Sequence, residues 1–212
     1  LKRFAPAADR NKSFILEVLE RILPSKGNVL EVASGSGQHT VFFAESFLGL
    51  NWLPSDLSQE NVDSINEYAK ESGLTNLKPA LILDATQNDW QQKITRCNAG
   101  ESETKINAII SINMIHIAPW AACVGLFEMG SKLLDADEFL YLYGPYIIAG
   151  KQTAQSNSDF DQQLKSNNQE WGIRLLEDVV ELAEANGFLL HGIITMPANN
   201  FSVVFKKAAE TL

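Results

Sequence analysis

Two glycines and two carboxylates carry the most specific chemical signal in this chain. Gly35 and Gly37 stand where the short, apolar, β-branched stretch Asn28 to Val32 hands over to a run that reads as a helix through Val41, Phe42, Phe43 and Phe47. Glycine at such a handover lets the backbone bend sharply and lets a ligand lie against it, and the free N–H groups of the helix start add positive potential. Asp56 closes the next strand-like stretch, Asn51 to Ser55, where a carboxylate can accept both hydroxyls of a ribose. Alone, Asp56 reads equally as a turn residue or helix cap; beside the glycine turn it points to a nucleoside site.

The kind of nucleoside follows from charge. A dinucleotide site wants G-x-G-x-x-G, yet Thr40 holds the sixth position, and the chain has no Tyr-x-x-x-Lys pair for hydride transfer. Glu31, inside the turn, would repel a pyrophosphate and suit a cation. S-adenosylmethionine, with its sulfonium and ammonium, matches. The reading therefore rests on a pocket walled by Glu31 and Asp56 and suited to a positively charged nucleoside.

These residues need elements to hold them, and the chain alternates strand-like and helix-like stretches, the layout of a parallel sheet covered on both faces. Phe14, Ile15, Val18, Leu19 and Ile22 predict a helix from about Asp9 that ends before Pro24. Ser58 can cap a helix carrying Val62, Ile65 and Tyr68 that stops near Gly73. Ala80 to Leu83 reads as a third strand ending at Asp84. Ile106 to Ile112 reads as a central, doubly covered strand ending at Asn113-Met114-Ile115-His116. The polar run Arg96 to Lys105 reads as a surface loop. Pro119 starts a helix through Leu134, Phe139 to Tyr143 is a fifth strand, and Gln152 to Trp171 holds a short helix around Phe160 and Leu164. After a last helix, Leu176 to Asn186, the stretches Phe188 to Thr195 and Phe201 to Phe205 form a hairpin. The fold class is α/β: a Rossmann-like, seven-stranded, mostly parallel sheet with an antiparallel C-terminal hairpin and helices on both faces. Residues 1–212 are expected to form one domain.

Composition narrows the partners. With 17 Lys and Arg against 26 Asp and Glu, the formal net charge is −9, which disfavours DNA or RNA as the direct substrate. Cys97 and Cys123 have no close spacing and read as free thiols of a reducing cytosol. No apolar run reaches the ~20 residues of a membrane span, and no secretory signal is visible after Leu1. His39, His116 and His191 share no ligand spacing, so no metal site is expected.

The wider pattern resembles a family. Glu31-Val32-Ala33-Ser34-Gly35-Ser36-Gly37 is similar to motif I of class I methyltransferases, usually Glu/Asp-x-Gly-x-Gly-x-Gly, with Ala33 at the first glycine. Residues Arg3 to Lys12, Ala33 to His39, Ile112 to Trp120, Tyr143 to Tyr146 and Met196 to Asn200 together resemble the methyltransferase-like protein 26 family, over nearly the whole chain. That resemblance implies a cofactor site. Ala33, Gly35 and Gly37 would line the methionine part and Asp56, with Leu57, the ribose. Asp84 and the backbone of Ala85 would face the adenine, although Asp84 also reads as a plain turn residue. Asn113 to His116 would occupy motif IV, beside the reactive methyl. Residues 1–24 would form an N-terminal helix that caps the cofactor, Arg10 meeting its carboxylate and Asn11 a polar edge; an ordinary surface Arg10 reads as well.

Asn113 and His116 are the catalytic candidates: His116 as a base or as an orienter of the loop, Asn113 as a holder of the acceptor. His39 reads as a solvent-facing residue or a ligand contact, His191 as structural. Trp120, Tyr143, Tyr146, Trp171, Asn199 and Asn200 lie near the same rim and read as acceptor-pocket walls or as core. The expected function is methyl transfer from S-adenosylmethionine to an oxygen or nitrogen of a small molecule, in the cytoplasm. The alternatives are a non-catalytic cofactor-binding module that serves a partner protein and, further off, a nicotinamide-dependent dehydrogenase.

Overall fold

The computed structural model describes residues 1–97 and 104–209. Its centre is a seven-stranded sheet in the order β3-β2-β1-β4-β5-β9-β8. The strands are β1 (Gly27–Val32), β2 (Leu50–Asp56), β3 (Leu81–Ile82), β4 (Ala108–Ile112), β5 (Phe139–Gly144), β8 (Phe188–Met196) and β9 (Asn200–Lys207). Neighbours from β3 to β5 run parallel, while β9 is antiparallel to both β5 and β8. This is the expected sheet, with the reversed strand in the hairpin.

Alternation along each strand sorts side chains onto two faces. On one face, Val29, Trp52, Ala108, Ile110 and Tyr141 pack with α1 (Pro6–Ile22) and α2 (Gln38–Ser46). On the other, Leu30, Leu53, Ile109, Leu140 and Phe205 pack with α4 (Trp90–Cys97), α5 (Trp120–Leu133) and α7 (Leu176–Ala185). Helix α1 starts with Pro6, whose fixed φ suits a first helical position, and its Ile15, Val18 and Leu19 are buried at helical spacing. Helix α3 (Gln59–Ser72) follows Ser58 as N-cap, without a side-chain cap bond, and ends at Gly73 in the left-handed region.

Several boundaries differ from the sequence reading. The third strand shrinks to Leu81–Ile82, since only Ser55 and Asp56 of β2 pair with it. Helix α4 was not foreseen: its sequence is polar, and its buried Trp90 and Ile94 stand one turn apart. Of the segment Arg96 to Lys105, expected as a surface loop, Arg96 and Cys97 belong to α4, and residues 98–103 lie outside the described residues. A small hairpin, β6 (Ile147–Ile148) with β7 (Lys151–Gln152), and the longer helix α6 (Gln155–Asn167) fill the region after β5. Cys123 is a free, buried thiol. Among the described residues, no helix is long and apolar enough to cross a membrane.

Candidate active site

In open sheets of this type, ligands bind beyond the carboxyl ends of the strands, where the strand order reverses. Here the reversal lies between β1 and β4. A cleft of about 400 Å³ opens there, lined by the ends of β1, β2 and β4, by the segment after β3, and by Ile117, Ala118, Pro119, Ala122 and Trp171.

The turn after β1 is built for a close approach. Ala33, Gly35 and Gly37 all have positive φ, of 60°, 59° and 93°. Ser34 stitches the turn to β2: its N–H donates to the Ser55 carbonyl (2.8 Å), and its Oγ accepts the Ser55 N–H (3.2 Å). Gly35 donates its N–H to Asp56 Oδ2 at 2.9 Å. Among the described residues, no heavy atom comes within 4 Å of the place where a Gly35 β-carbon would stand, so the backbone faces open cleft. At Gly37 a β-carbon would meet Ile65 Cα at 2.8 Å. Gly37 therefore serves the packing of α2 on α3, and the expectation that it lines the ligand is corrected.

Asp56 is buried and lines the cleft with Leu57, Asp84 and Ala85. Its Oδ1 accepts from the Ser58 N–H (3.0 Å) and from Asn61 Nδ2 (2.9 Å). A carboxylate offers about four acceptor positions. With the Gly35 bond, one position on Oδ2 remains, and a second opens if the Asn61 amide turns away. Asn61 lines the same cleft and is a residue the sequence reading missed; a polar side chain in the first turn after a strand-end acid was its only signal. Asp84 Oδ1 accepts from the N–H and the hydroxyl of Thr86, both at 2.8 Å.

Glu31 is the main correction. The register pairs it with Pro54, so its side chain leaves the sheet on the same face as Asp56. It does not line the cleft. It lies buried beneath the turn, where one oxygen, Oε2, accepts from Trp52 Nε1 (2.6 Å) and Thr40 Oγ1 (2.9 Å). Burial pushes its pKa up to about 7 against the two hydrogen bonds that lower it, and the nearby Asp56 charge raises it further. Asp56 and Asp84, not Glu31, give the cleft its anionic wall.

A second cleft, of about 470 Å³, adjoins the first across Ile117, which lines both. Its walls include Asn11, Asn113, Tyr143, Asn199 and Asn200, together with Asn157 and Phe160 of α6, from the polar segment Gln152 to Trp171 in which a helix around Phe160 was expected. Asn113 and Asn11, expected beside the cofactor, thus face this neighbouring space. Asn11 Oδ1 lies 2.7 Å from His39 Nε2, and His39 stacks on Phe43. His39 does not point to solvent: burial lowers its pKa to about 4, and the Lys12 charge adds to the shift.

His116 is not placed as a base. It is fully buried and lines neither cleft; among the described residues its Nε2 has no hydrogen-bond partner, and burial, reinforced by Arg174, lowers its pKa to about 3. Its ring lies edge-on to Tyr146, also fully buried. Tyr146 is therefore core rather than pocket wall. Trp120 belongs to an outer groove with Arg174 rather than to either cleft, and Trp171 borders the first cleft. Arg10 is exposed and lines neither cleft. Among the described residues, no group of three or more His, Cys, Asp or Glu side chains is arranged to hold a metal.

The architecture is shared with solved structures. An O-methyltransferase family protein from Burkholderia thailandensis superposes with a TM-score of 0.73 at 11% identity, over 94% of this chain and 57% of that one. The S-adenosylhomocysteine-bound methyltransferase of calicheamicin biosynthesis, CalO1, gives 0.70 at 14%, over 95% and 54%. An O-methyltransferase family 2 protein from Planctomyces limnophilus, in complex with apigenin, gives 0.69 at 16%, over 93% and 62%. The chain spans a little more than half the length of such proteins. At these identities the likeness is one of fold: an α/β, Rossmann-like methyltransferase architecture. Residues 2–207 match the family model described as protein of unknown function (DUF938), and the chain belongs to that family.

Proposed function

We propose that this protein transfers the methyl group of S-adenosylmethionine to an oxygen or nitrogen of a small molecule. The observation that carries the reading is the open backbone of Gly35, held by Asp56, at the switch point of the sheet. The cleft has the shape and charge for this cofactor: a side-chain-free approach at Gly35, one or two acceptor positions on Asp56 for ribose hydroxyls, Asp84 and the Ala85 backbone for the adenine, and apolar walls from Leu83, Ile112 and Met114. The motif resemblance to the methyltransferase-like protein 26 family, and the S-adenosylhomocysteine-bound structure of the same fold, support the same reading. When bound, S-adenosylmethionine supplies a methyl on a sulfonium, open to in-line displacement. The chain's own task is alignment. In this reading Ile117 separates cofactor from acceptor, Asn113 at the β4 end faces the acceptor, and residues 1–24 cover the second cleft through Ala7 and Asn11. Residues 1–212 act as one methyltransferase domain in the cytoplasm.

Calorimetric titration with S-adenosylmethionine and S-adenosylhomocysteine tests the reading. Binding is expected, and Asp56→Ala should weaken it tenfold or more, since a hydrogen bond to a charged group contributes about 1.5–3 kcal/mol. No binding at millimolar ligand overturns it. One observation favours a second reading, a cofactor-binding module without turnover: His116, the expected base, is buried off both clefts. Methyl-labelled cofactor incubated with a metabolite extract separates the two.

A further inference from the structure

Two amides in the wall of the second cleft have their orientation fixed by main-chain carbonyls. Asn157, buried in α6, donates through Nδ2 to Thr153 Oγ1 (2.7 Å) and to the Asn199 carbonyl (3.1 Å). A main-chain carbonyl only accepts, so that end of the amide is the nitrogen, and Oδ1 takes the opposite side. Among the described residues nothing donates to Asn157 Oδ1, yet it is not sealed in: the buried side-chain atoms that lack a partner are Asp89 Oδ1, His116 Nε2 and Tyr146 Oη. Its open side is the cleft that Asn157 lines. Asn200 repeats the pattern. Its Nδ2 donates to the carbonyls of Pro197 and Ala198, both at 3.1 Å, and its Oδ1 is likewise left without a donor among the described residues. The wall therefore offers hydrogen-bond acceptors.

The same wall holds no group that takes up a proton at neutral pH. Among the described residues that line it there is no carboxylate, imidazole, ammonium or guanidinium. Burial raises the pKa of the Tyr143 phenol, which keeps its proton. His39 meets Asn11 without lining the cleft, and His116 lies off it altogether. Ala7, Ile117, Pro145 and Phe160 complete the lining with apolar surface.

We infer that this cleft takes an uncharged aromatic amine, whose N–H donors meet the amide oxygens of Asn157 and Asn200 and whose nitrogen is methylated without a base from the protein. The inference rests on the methyltransferase reading and narrows its acceptor to nitrogen. A hydroxyl sheds its proton as its oxygen bonds to carbon, and efficient transfer then uses a positioned base. An amine attacks through a lone pair that is free from the start. That pair forms the N–CH3 bond as the S–CH3 bond breaks and its electrons pass to sulfur. The methylated nitrogen, now positive, releases one proton to water, and the products are the N-methyl amine and S-adenosylhomocysteine. An aliphatic amine would arrive as an ammonium, without a lone pair and against the sulfonium charge. A carboxylate would set its own lone pairs against the amide oxygens. An amine on an aromatic ring is uncharged at neutral pH, donates, and lays its ring on the apolar lining.

The test titrates aniline, benzonitrile, benzoate and cyclohexylamine into the protein at neutral pH with S-adenosylhomocysteine present. These probes are in turn an uncharged donor, an uncharged acceptor, an anion and a cation of similar size. Aniline is expected to bind about tenfold more tightly than each of the others, roughly what one or two net hydrogen bonds supply. Asn157→Ala should remove the margin over benzonitrile while S-adenosylhomocysteine affinity holds; the wild-type order of the probes decides the matter if the variant folds poorly. Equal or tighter binding of any other probe, or no aniline binding at roughly 10 mM, overturns the inference. In the labelled-methyl assay aniline should give N-methylaniline, at a rate flat between about pH 6 and pH 9. A rate that climbs through that range, or methylation of phenol or benzoate in preference to aniline, overturns the aromatic-amine inference and leaves methyl transfer standing. Preferential aniline binding by a protein that binds neither S-adenosylmethionine nor S-adenosylhomocysteine overturns methyl transfer and leaves the donor-binding site.

Discussion

Replacing Glu31 with Gln probes the acid that sits under the glycine turn. Oε2 of Glu31 accepts from both Trp52 and Thr40, and the amide oxygen of Gln can keep both bonds. The variant therefore changes little except the ability to titrate. In the folded protein burial holds the Glu31 pKa at about 7, against 4.5 for the free group. Between those values the native state binds the proton more tightly than the unfolded chain. The stabilisation is full below pH 4.5 and is lost as pH rises toward 7. At 1.36 kcal/mol per unit, the two titrations predict a loss of roughly 2–3 kcal/mol between pH 5 and pH 8. Urea unfolding of both proteins across that range isolates the effect, because all other groups cancel in the difference. The stability of Glu31→Gln relative to the wild type should climb with pH by that amount. A difference that stays flat from pH 5 to pH 8 would refute the reasoning, and Glu31 would then be ionised in the fold after all.

Three further substitutions report on the walls of the clefts. A β-carbon on Gly125 would stand 1.9 Å from the Ala85 carbonyl oxygen, so Gly125→Ala must push α5 off the Ala85 wall of the first cleft. It should cost about 1–3 kcal/mol in urea unfolding and weaken S-adenosylhomocysteine binding. Gly130→Ala, whose β-carbon meets side-chain ends rather than backbone, Leu140 Cδ1 at 3.0 Å and Phe188 Cζ at 3.4 Å, is the mild comparison, and equal effects would contradict the geometry. Arg174 donates to the carbonyls of Ile115 (2.8 Å), Ala118 (2.6 Å) and Glu170 (2.9 Å), pinning the segment that carries Ile117. Arg174→Ala should cost about 2 kcal/mol and speed hydrogen exchange at Ile117 and Gly172, read by mass spectrometry. Unchanged exchange there would mean the segment is held by packing alone.

Much of the sheet was legible because its signals are local. The β-branched run before Gly35, the acids at the ends of β2 and after β3, and the apolar run of β4 each declare themselves within a few residues. Helix α4 and the β6–β7 hairpin did not. Trp90 and Ile94 are two apolar residues in a polar octet, and a strand of two residues has no period to read. Their structure comes from what they dock against.

By itself the sequence determined the order of the seven sheet strands, the glycine turn and the acid that meets it, because short-range geometry dictates which residue follows a strand end. Only the tertiary structure decided which way those residues look. It put Glu31 beneath the turn, bonded to Trp52 from the neighbouring strand; it buried His116 and Tyr146 against each other; and it opened Asn113 and Tyr143 onto a second cleft walled by α6. Whether a polar side chain lines a ligand space or supports it from behind depends on partners far along the chain, and no local pattern encodes that choice.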